Sequence, residues 1–227
     1  MRGLEIDRYL GNVSLGNISM DGQRKISSSW VTVVGLGGTG GMAAELLART
    51  GIGKLTIIDY DTVSMTNLQR QIVYQESDLG ILKSEALQKR LNAVNHNVEV
   101  EPINEKVTES NRSIIGTPDL IFDGTDNFSV RNIINRYSVE NRIPWIMTAA
   151  NETFGTFKAV IPGVTSCISC LGYPESGGGE HGLCTVRDTV VCPCNHQFHG
   201  IFSRPENTYG RTGGRGHNIR GPLELQH

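Results

Sequence analysis

The chain has 227 residues, 38% of them apolar, and a formal charge of −2, which gives room for one substantial core with extensions rather than two full domains. The near-neutral balance, with no long Lys/Arg cluster, argues against nucleic acid or an anionic membrane as the main partner. No run approaches the roughly 20 apolar residues of a membrane span, and positions 1–17 lack the basic-then-apolar order of a secretory signal, so a cytoplasmic protein without a membrane partner is expected.

Trp30-Val-Thr-Val-Val34 is a β-branched run that opens onto Gly35-Leu-Gly37-Gly38-Thr-Gly40-Gly41. Met42, Ala43, Leu46 and Leu47 then recur at helical spacing up to Gly51 and Gly53, which reads as strand, tight turn, helix and stop. Leu55 to Ile58 is a second strand, parallel to the first across a right-handed crossover. Leu87, Leu91 and Val94 mark a helix over about Lys83 to Asn95, followed by strands at Val98 to Val100 and at Leu120 to Phe122, the latter closed by Asp123-Gly124. Val130, Ile133, Ile134 and Tyr137 give another helix face. Pro144 to Met147 reads as a strand and Gly155 to Ile161 as a more exposed, antiparallel one. The alternation predicts an α/β fold: a Rossmann-like, doubly wound, mainly parallel sheet with an antiparallel edge.

Gly35-x-Gly37-x-x-Gly40 follows a strand and opens a helix, and Asp59 ends the second strand. Glycines permit the tight turn and a close approach of backbone N–H groups to phosphate. The helix N-terminus favours the negative charge, and Asp59 can accept from ribose hydroxyls. A dinucleotide site would need no more, yet the chain adds Asp61, Asn67, Arg70, Lys83 and a second acidic strand end, Asp123-Gly-Thr-Asp126-Asn127. Ligands of such sheets bind outside the carboxyl ends of the strands, so these charges are expected to face one crevice. Two cations and a carboxylate able to hold Mg2+ suit a triphosphate better than a nicotinamide.

In this order and spacing, Gly35 to Gly40, Asp59-Tyr-Asp-Thr-Val-Ser-Met-Thr-Asn-Leu-Gln-Arg-Gln71, Gly80-x-x-Lys83, Asp123-Gly-Thr-Asp-Asn127 and Cys167-x-x-Cys170 resemble the ThiF/MoeB/HesA group of ubiquitin-activating-like adenylyltransferases, over about Arg8 to Cys184. The resemblance implies adenylation of the C-terminal glycine of a small ubiquitin-like sulfur-carrier protein, for thiamine, molybdopterin or tRNA thiolation, with release of pyrophosphate. It also implies ATP contacts at Gly38, Asp59, Asn67, Arg70, Lys83, Asp126 and Asn127, Mg2+ at Asp126, and a homodimer. Arg70 and Lys83 would brace the phosphates. The expected organisation is an N-terminal segment over 1–29, an ATP-binding domain over 30–171 and an irregular region over 172–227.

Three places depart from the family pattern. Arg8-Tyr9 fits its N-terminal Arg-Tyr-x-Arg element, but Gly11 stands where the second arginine belongs. In the family that arginine can reach the ATP of the partner subunit; here either another residue, such as Arg8 or Arg24, supplies the charge, or adenylation is weakened by loss of a transition-state contact. Cys167-x-x-Cys170 has the spacing of half a Zn2+ site; the family's second Cys-x-x-Cys is absent, and Cys192-x-Cys194-x-His196-x-x-His199 offers substitutes. Cys184 stands where many members carry a thiol for acyl or persulfide transfer, and it is either that nucleophile or an inert loop cysteine. Beyond Leu171 lie five of the six histidines, and no lysine follows Lys158. From about Val186 to Val191 onward the residues read as a frameshifted tail in place of the family's apolar helix. The alternatives are adenylation of a carboxylate on modified tRNA, a non-catalytic nucleotide-binding or carrier-docking module, and, third, an NAD oxidoreductase.

Overall fold

A computed structural model describes residues 6–16, 18–151 and 154–171. Two short helices, α1 (Ile6–Val13) and α2 (Ser19–Ser28), precede β1 (Trp30–Val34), α3 (Gly38–Thr50) and β2 (Lys54–Ile58). After a long connection come α4 (Lys83–Val94), β3 (Glu99–Ile103), β4 (Leu120–Asp123), α5 (Phe128–Asn141), β5 (Trp145–Asn151) and β6 (Phe154–Val160). The strands form one sheet in the order β3-β2-β1-β4-β5-β6. All neighbours are parallel except β5 and β6, the mixed, doubly wound arrangement expected from the sequence.

The period of two along each strand divides the core into two layers. Val31, Val33, Leu55 and Ile57 pack with Ala44 and Ala48 of α3 and with Leu87 and Leu91 of α4. On the other face Val34, Ile58, Ile121, Trp145 and Met147 pack with Val130, Ile133, Ile134 and Tyr137 of α5. β3 extends past the expected Val98 to Val100 run and includes Pro102. It can do so because it is an edge strand, where a missing N–H costs no ladder bond.

The helical face of α3 differs from the one its periodicity marks. Met42 and Leu46 are exposed, while Gly40, Gly41, Ala44 and Ala48 are buried. The helix lies too close to its neighbours for larger side chains: a Cβ on Gly41 would come within 2.8 Å of Val73. Small residues set the distance, and the larger apolar ones face outward.

The N-terminal helices are fastened at the far ends of α3 and α4. Asn95 donates to the buried Tyr9 hydroxyl at 2.9 Å and to the Ala48 carbonyl at 2.8 Å, and Gln23 donates to the Thr50 carbonyl at 2.8 Å. Among the described residues no helix is long and apolar enough to cross a membrane.

Candidate nucleotide site

Register places Val34, Ile58, Ile103, Asp123 and Met147 in one row at the carboxyl end of the sheet. The connections leaving that row carry most of the residues singled out in the sequence. Gly35 turns there with a φ of 82°, a left-handed conformation that favours glycine, and its N–H donates to the Ile58 carbonyl at 2.9 Å. Gly37 is the N-cap of α3 and brings no side-chain cap. The first N–H groups of that helix therefore keep the partial positive charge that draws a phosphate.

The glycine turn and the loop after β4 touch through their backbones. A Cβ on Gly35 would lie 2.9 Å from Thr125 N, and one on Gly124 would lie 2.6 Å from the Gly40 Cα. Gly124, which closes the β4 run in the sequence, is thus the point at which the loop after β4 meets the glycine turn. Asp126, two positions on, is exposed at the same end. Burial pushes the Tyr60 phenol above its ordinary value, and the charges of Asp61, Asp59 and Asp126 act in the same direction.

Asp59 is buried, accepting from Leu36 N–H at 2.7 Å and Asp61 N–H at 2.8 Å. It holds the glycine turn and its own loop together. Burial pushes its carboxyl above the ordinary carboxylate value, against the pull of those two N–H groups and of Lys83. Lys83 is the first residue of α4; its side chain is 7% exposed, and its ammonium lies 3.0 Å from Asp61 Oδ2. Tyr74, unmarked in the sequence, donates to the Leu36 carbonyl at 2.9 Å and buttresses the turn from beneath.

Asn67 accepts from Ser64 N–H through its side chain at 3.2 Å, and its carbonyl takes the N–H groups of Arg70 and Gln71 at 3.1 and 2.9 Å. This single turn carries Arg70 across the start of α3, where the Arg70 carbonyl lies 3.4 Å from the place of a Gly38 Cβ. The Arg70 side chain is exposed and donates to the Thr66 carbonyl. Gln71 is buried beside Gly37, and its side-chain oxygen is an acceptor without a partner among the described residues. Glycine turn, Asp59, Asp61, Asn67, Arg70, Lys83 and Asp126 are therefore brought to one end of the sheet.

Other expectations change. Asp123 does not face the crevice with Asp126: it is fully buried and paired with Arg131 at 2.8 Å. Burial raises its carboxyl above the ordinary value, with Arg131 and Thr125 opposing. The Asn127 side-chain oxygen caps α5, accepting from Ser129 N–H at 2.8 Å and Val130 N–H at 3.4 Å. The proposed substitutes for an arginine at Gly11 have partners within the chain, away from its own glycine turn, which leaves open a reach to a partner subunit's nucleotide. Arg8 donates to the Val94 carbonyl at 3.0 Å, at the opposite end of α4 from Lys83, a distance of about 18 Å for 12 residues. Arg24 pairs with Asp21 on the exposed side of α2.

The Cys167 and Cys170 sulfurs are 3.6 Å apart. Two thiolates on a tetrahedral zinc ion, each at about 2.3 Å, stand about 3.8 Å apart, so the pair fits half of such a site. Asn135 of α5 holds the turn, accepting from Ile168 N–H at 3.2 Å and donating to the Ser169 hydroxyl at 3.2 Å. Burial raises the Cys167 thiol, but hydrogen bonds from Cys170, Asn135 and Ser169 outweigh it and hold the thiol below its ordinary value. Among the described residues no group of three or more His, Cys, Asp or Glu is arranged for a metal ion. Cys184, Cys192, Cys194, His196 and His199 lie outside the described residues.

Residues 9–203 match the ThiF family. The chain belongs to the ThiF family. It is 34% identical over 173 residues to the SAMP-activating enzyme E1 of Haloferax volcanii, a match covering 76% of this chain and 63% of that protein. It is 33% identical over 195 residues to the molybdopterin-synthase adenylyltransferase of Escherichia coli, covering 83% of this chain and 76% of the relative. Among solved structures, E. coli MccB with ATP is 29% identical with a TM-score of 0.63, covering 65% of this chain and 46% of that one. The ThiF-family chain thus spans less than two thirds of the Haloferax relative and about half of MccB.

Proposed function

We propose that this ThiF-family chain adenylates the C-terminal glycine carboxylate of a small ubiquitin-like sulfur-carrier protein with ATP and magnesium. The observation that carries the reading is that Lys83 with Asp61, Arg70 and Asp126 lie on the connections at the same end of the sheet as the glycine turn and Asp59, a charge set beyond the needs of a dinucleotide. The carrier carboxylate attacks the α-phosphorus, forming an acyl–phosphate bond, while the bond from that phosphorus to the β-phosphate oxygen breaks and pyrophosphate leaves. Lys83 and Arg70 would stabilise the charge on the leaving group. Asp126 fits magnesium, which takes one or two protein carboxylates and fills its remaining positions with phosphate oxygens and water. The names of the two relatives support an activating, adenylyl-transferring reaction, and the 34% identity to the sulfur carrier protein ThiS adenylyltransferase of E. coli supports a carrier protein as the substrate.

The test is carrier-dependent exchange of labelled pyrophosphate into ATP, with AMP formation, against a panel of Gly-Gly-ended carriers. Exchange is expected only with a carrier present. Nucleotide binding without AMP would replace the enzyme by a carrier-docking module, and tight NADH binding would restore the dinucleotide reading.

The same reading includes a cytoplasmic location, where ATP is supplied, and a homodimer. It also includes zinc at Cys167 and Cys170, with Cys184 as a candidate transfer thiol. Protein purified without chelator is expected to carry about one zinc per chain, and Cys167→Ser with Cys170→Ser to carry none. Equal zinc in both, measured by metal analysis, would remove the assignment.

A further inference from the structure

We propose that Arg131 is a positioning residue for the nucleotide site, fixing the loop that carries Asp126. The inference rests on the adenylation reading above and extends it to a residue with no contact of its own to the crevice.

The Arg131 side chain is 2% exposed, in the second turn of α5. Its guanidinium reaches back under the loop after β4. Nε donates to Asp123 Oδ2 at 2.8 Å, and Nη2 donates to the carbonyls of Thr125 at 2.5 Å and Thr148 at 2.9 Å. It also lies 5.1 Å from the centre of the Phe128 ring. The other oxygen of Asp123 takes the N–H and hydroxyl of Thr125 at 2.9 and 2.6 Å. The Thr148 hydroxyl closes the set on the Asp123 carbonyl at 2.7 Å.

Asp126 is therefore flanked by two tethered residues. Thr125 is held at its N–H, hydroxyl and carbonyl, and Asn127 is held by capping α5. Thr125 also touches the glycine turn, its backbone N being 2.9 Å from the place of a Gly35 Cβ. A buried ion pair is a costly way to gain stability alone, since apolar residues of similar volume often do as well. Here it meets backbone groups that apolar residues would strand, on the segment that must hold a metal-binding carboxylate against the glycine turn. The planar fork serves three acceptors at once, which one ammonium point charge does not reproduce.

The experiment compares the wild type with Arg131→Lys, Arg131→Gln and Thr125→Val, with thermal melting to establish folding. Two readouts are taken against magnesium concentration: ATP binding by titration calorimetry, and carrier-dependent pyrophosphate exchange. The magnesium needed for half-maximal ATP binding is expected to rise about tenfold in Arg131→Gln, less in Arg131→Lys, and several-fold in Thr125→Val, with the KM for carrier unchanged. Thr125→Val loosens the same loop from the Asp123 side while leaving every Arg131 bond in place, and Arg131→Lys, which keeps the buried charge, decides the matter if Arg131→Gln does not fold. An unshifted magnesium requirement in a folded Arg131 variant overturns the proposal, as does a loss of exchange with no shift. A wild type that binds magnesium and ATP but exchanges with no carrier overturns the adenylation reading instead, and the calorimetry still tests Arg131.

Discussion

Lys83→Ala is expected to lower carrier-dependent pyrophosphate exchange by about 10²–10³-fold, the loss typical of removing one preorganised charge at a transition state, with the fold intact. The side chain starts α4 with its stem buried and its ammonium held toward Asp61 at 3.0 Å. Removing it does not strand a charge, because the Asp61 side chain is 49% exposed and water replaces its partner. An ion pair with one solvated member contributes on the order of 1 kcal/mol or less, and alanine is a strong helix former at the start of α4. The bond from Lys83 N–H to the Asp61 carbonyl, 2.9 Å, is a backbone bond and survives. Loss should thus fall on chemistry and not on folding, and Lys83→Arg should not restore it, since the buried stem is shaped for a compact head. Exchange at the wild-type rate, or a melting point that collapses along with activity, would overturn this role.

The separation between what could be read in the residues and what could not follows physical lines. β-branched runs ending at glycine or aspartate located β1, β2 and β4, because an element buried on both faces has little freedom in composition. Asp59 was legible by its distance from the glycines, as was the cluster at Asn67, Arg70 and Lys83, whose residue types have few other reasons to sit together. The face of α3 was not legible. Periodicity counts large apolar residues, whereas close packing there selects Gly41, Ala44 and Ala48 and leaves Met42 and Leu46 outside. Asp123 was misread, and Arg131 passed over, for a related cause. A charge at a strand end or on a helix reads as solvated, and its burial depends on a partner eight residues away in another element. Asn127 could have been recognised as an N-cap, since Ser129 and Val130 follow at the spacing whose N–H groups such a side chain accepts.

Gly40→Ala is expected to abolish nucleotide binding and to destabilise the fold. A Cβ at this position would fall inside the contact radius of the Gly35 carbonyl oxygen, and would also lie 3.4 Å from the Gly124 Cα. Overpacking against side chains costs about 1–3 kcal/mol because rotamers can yield. Here the obstacle is backbone, and neither neighbour can move alone. Gly35 is tied to Ile58 at 2.9 Å, and Gly124 N–H is tied to the Val34 carbonyl at 2.8 Å, so both are continuous with the central strands. The start of α3 would have to withdraw from the sheet, separating the helix N-terminus from Asp126 and removing the surface on which a phosphate would lie. Binding of ATP by calorimetry and a thermal melt check this together. Ala44→Gly, one turn further along the same buried face, serves as the control: it adds no atom, costs about 1 kcal/mol in helix propensity and some packing, and should leave ATP binding near wild type. Retained binding in Gly40→Ala would mean that the glycine turn and the Asp126 loop need not touch, and the shared backbone contact at Gly35, Gly40 and Gly124 would lose its place in the site.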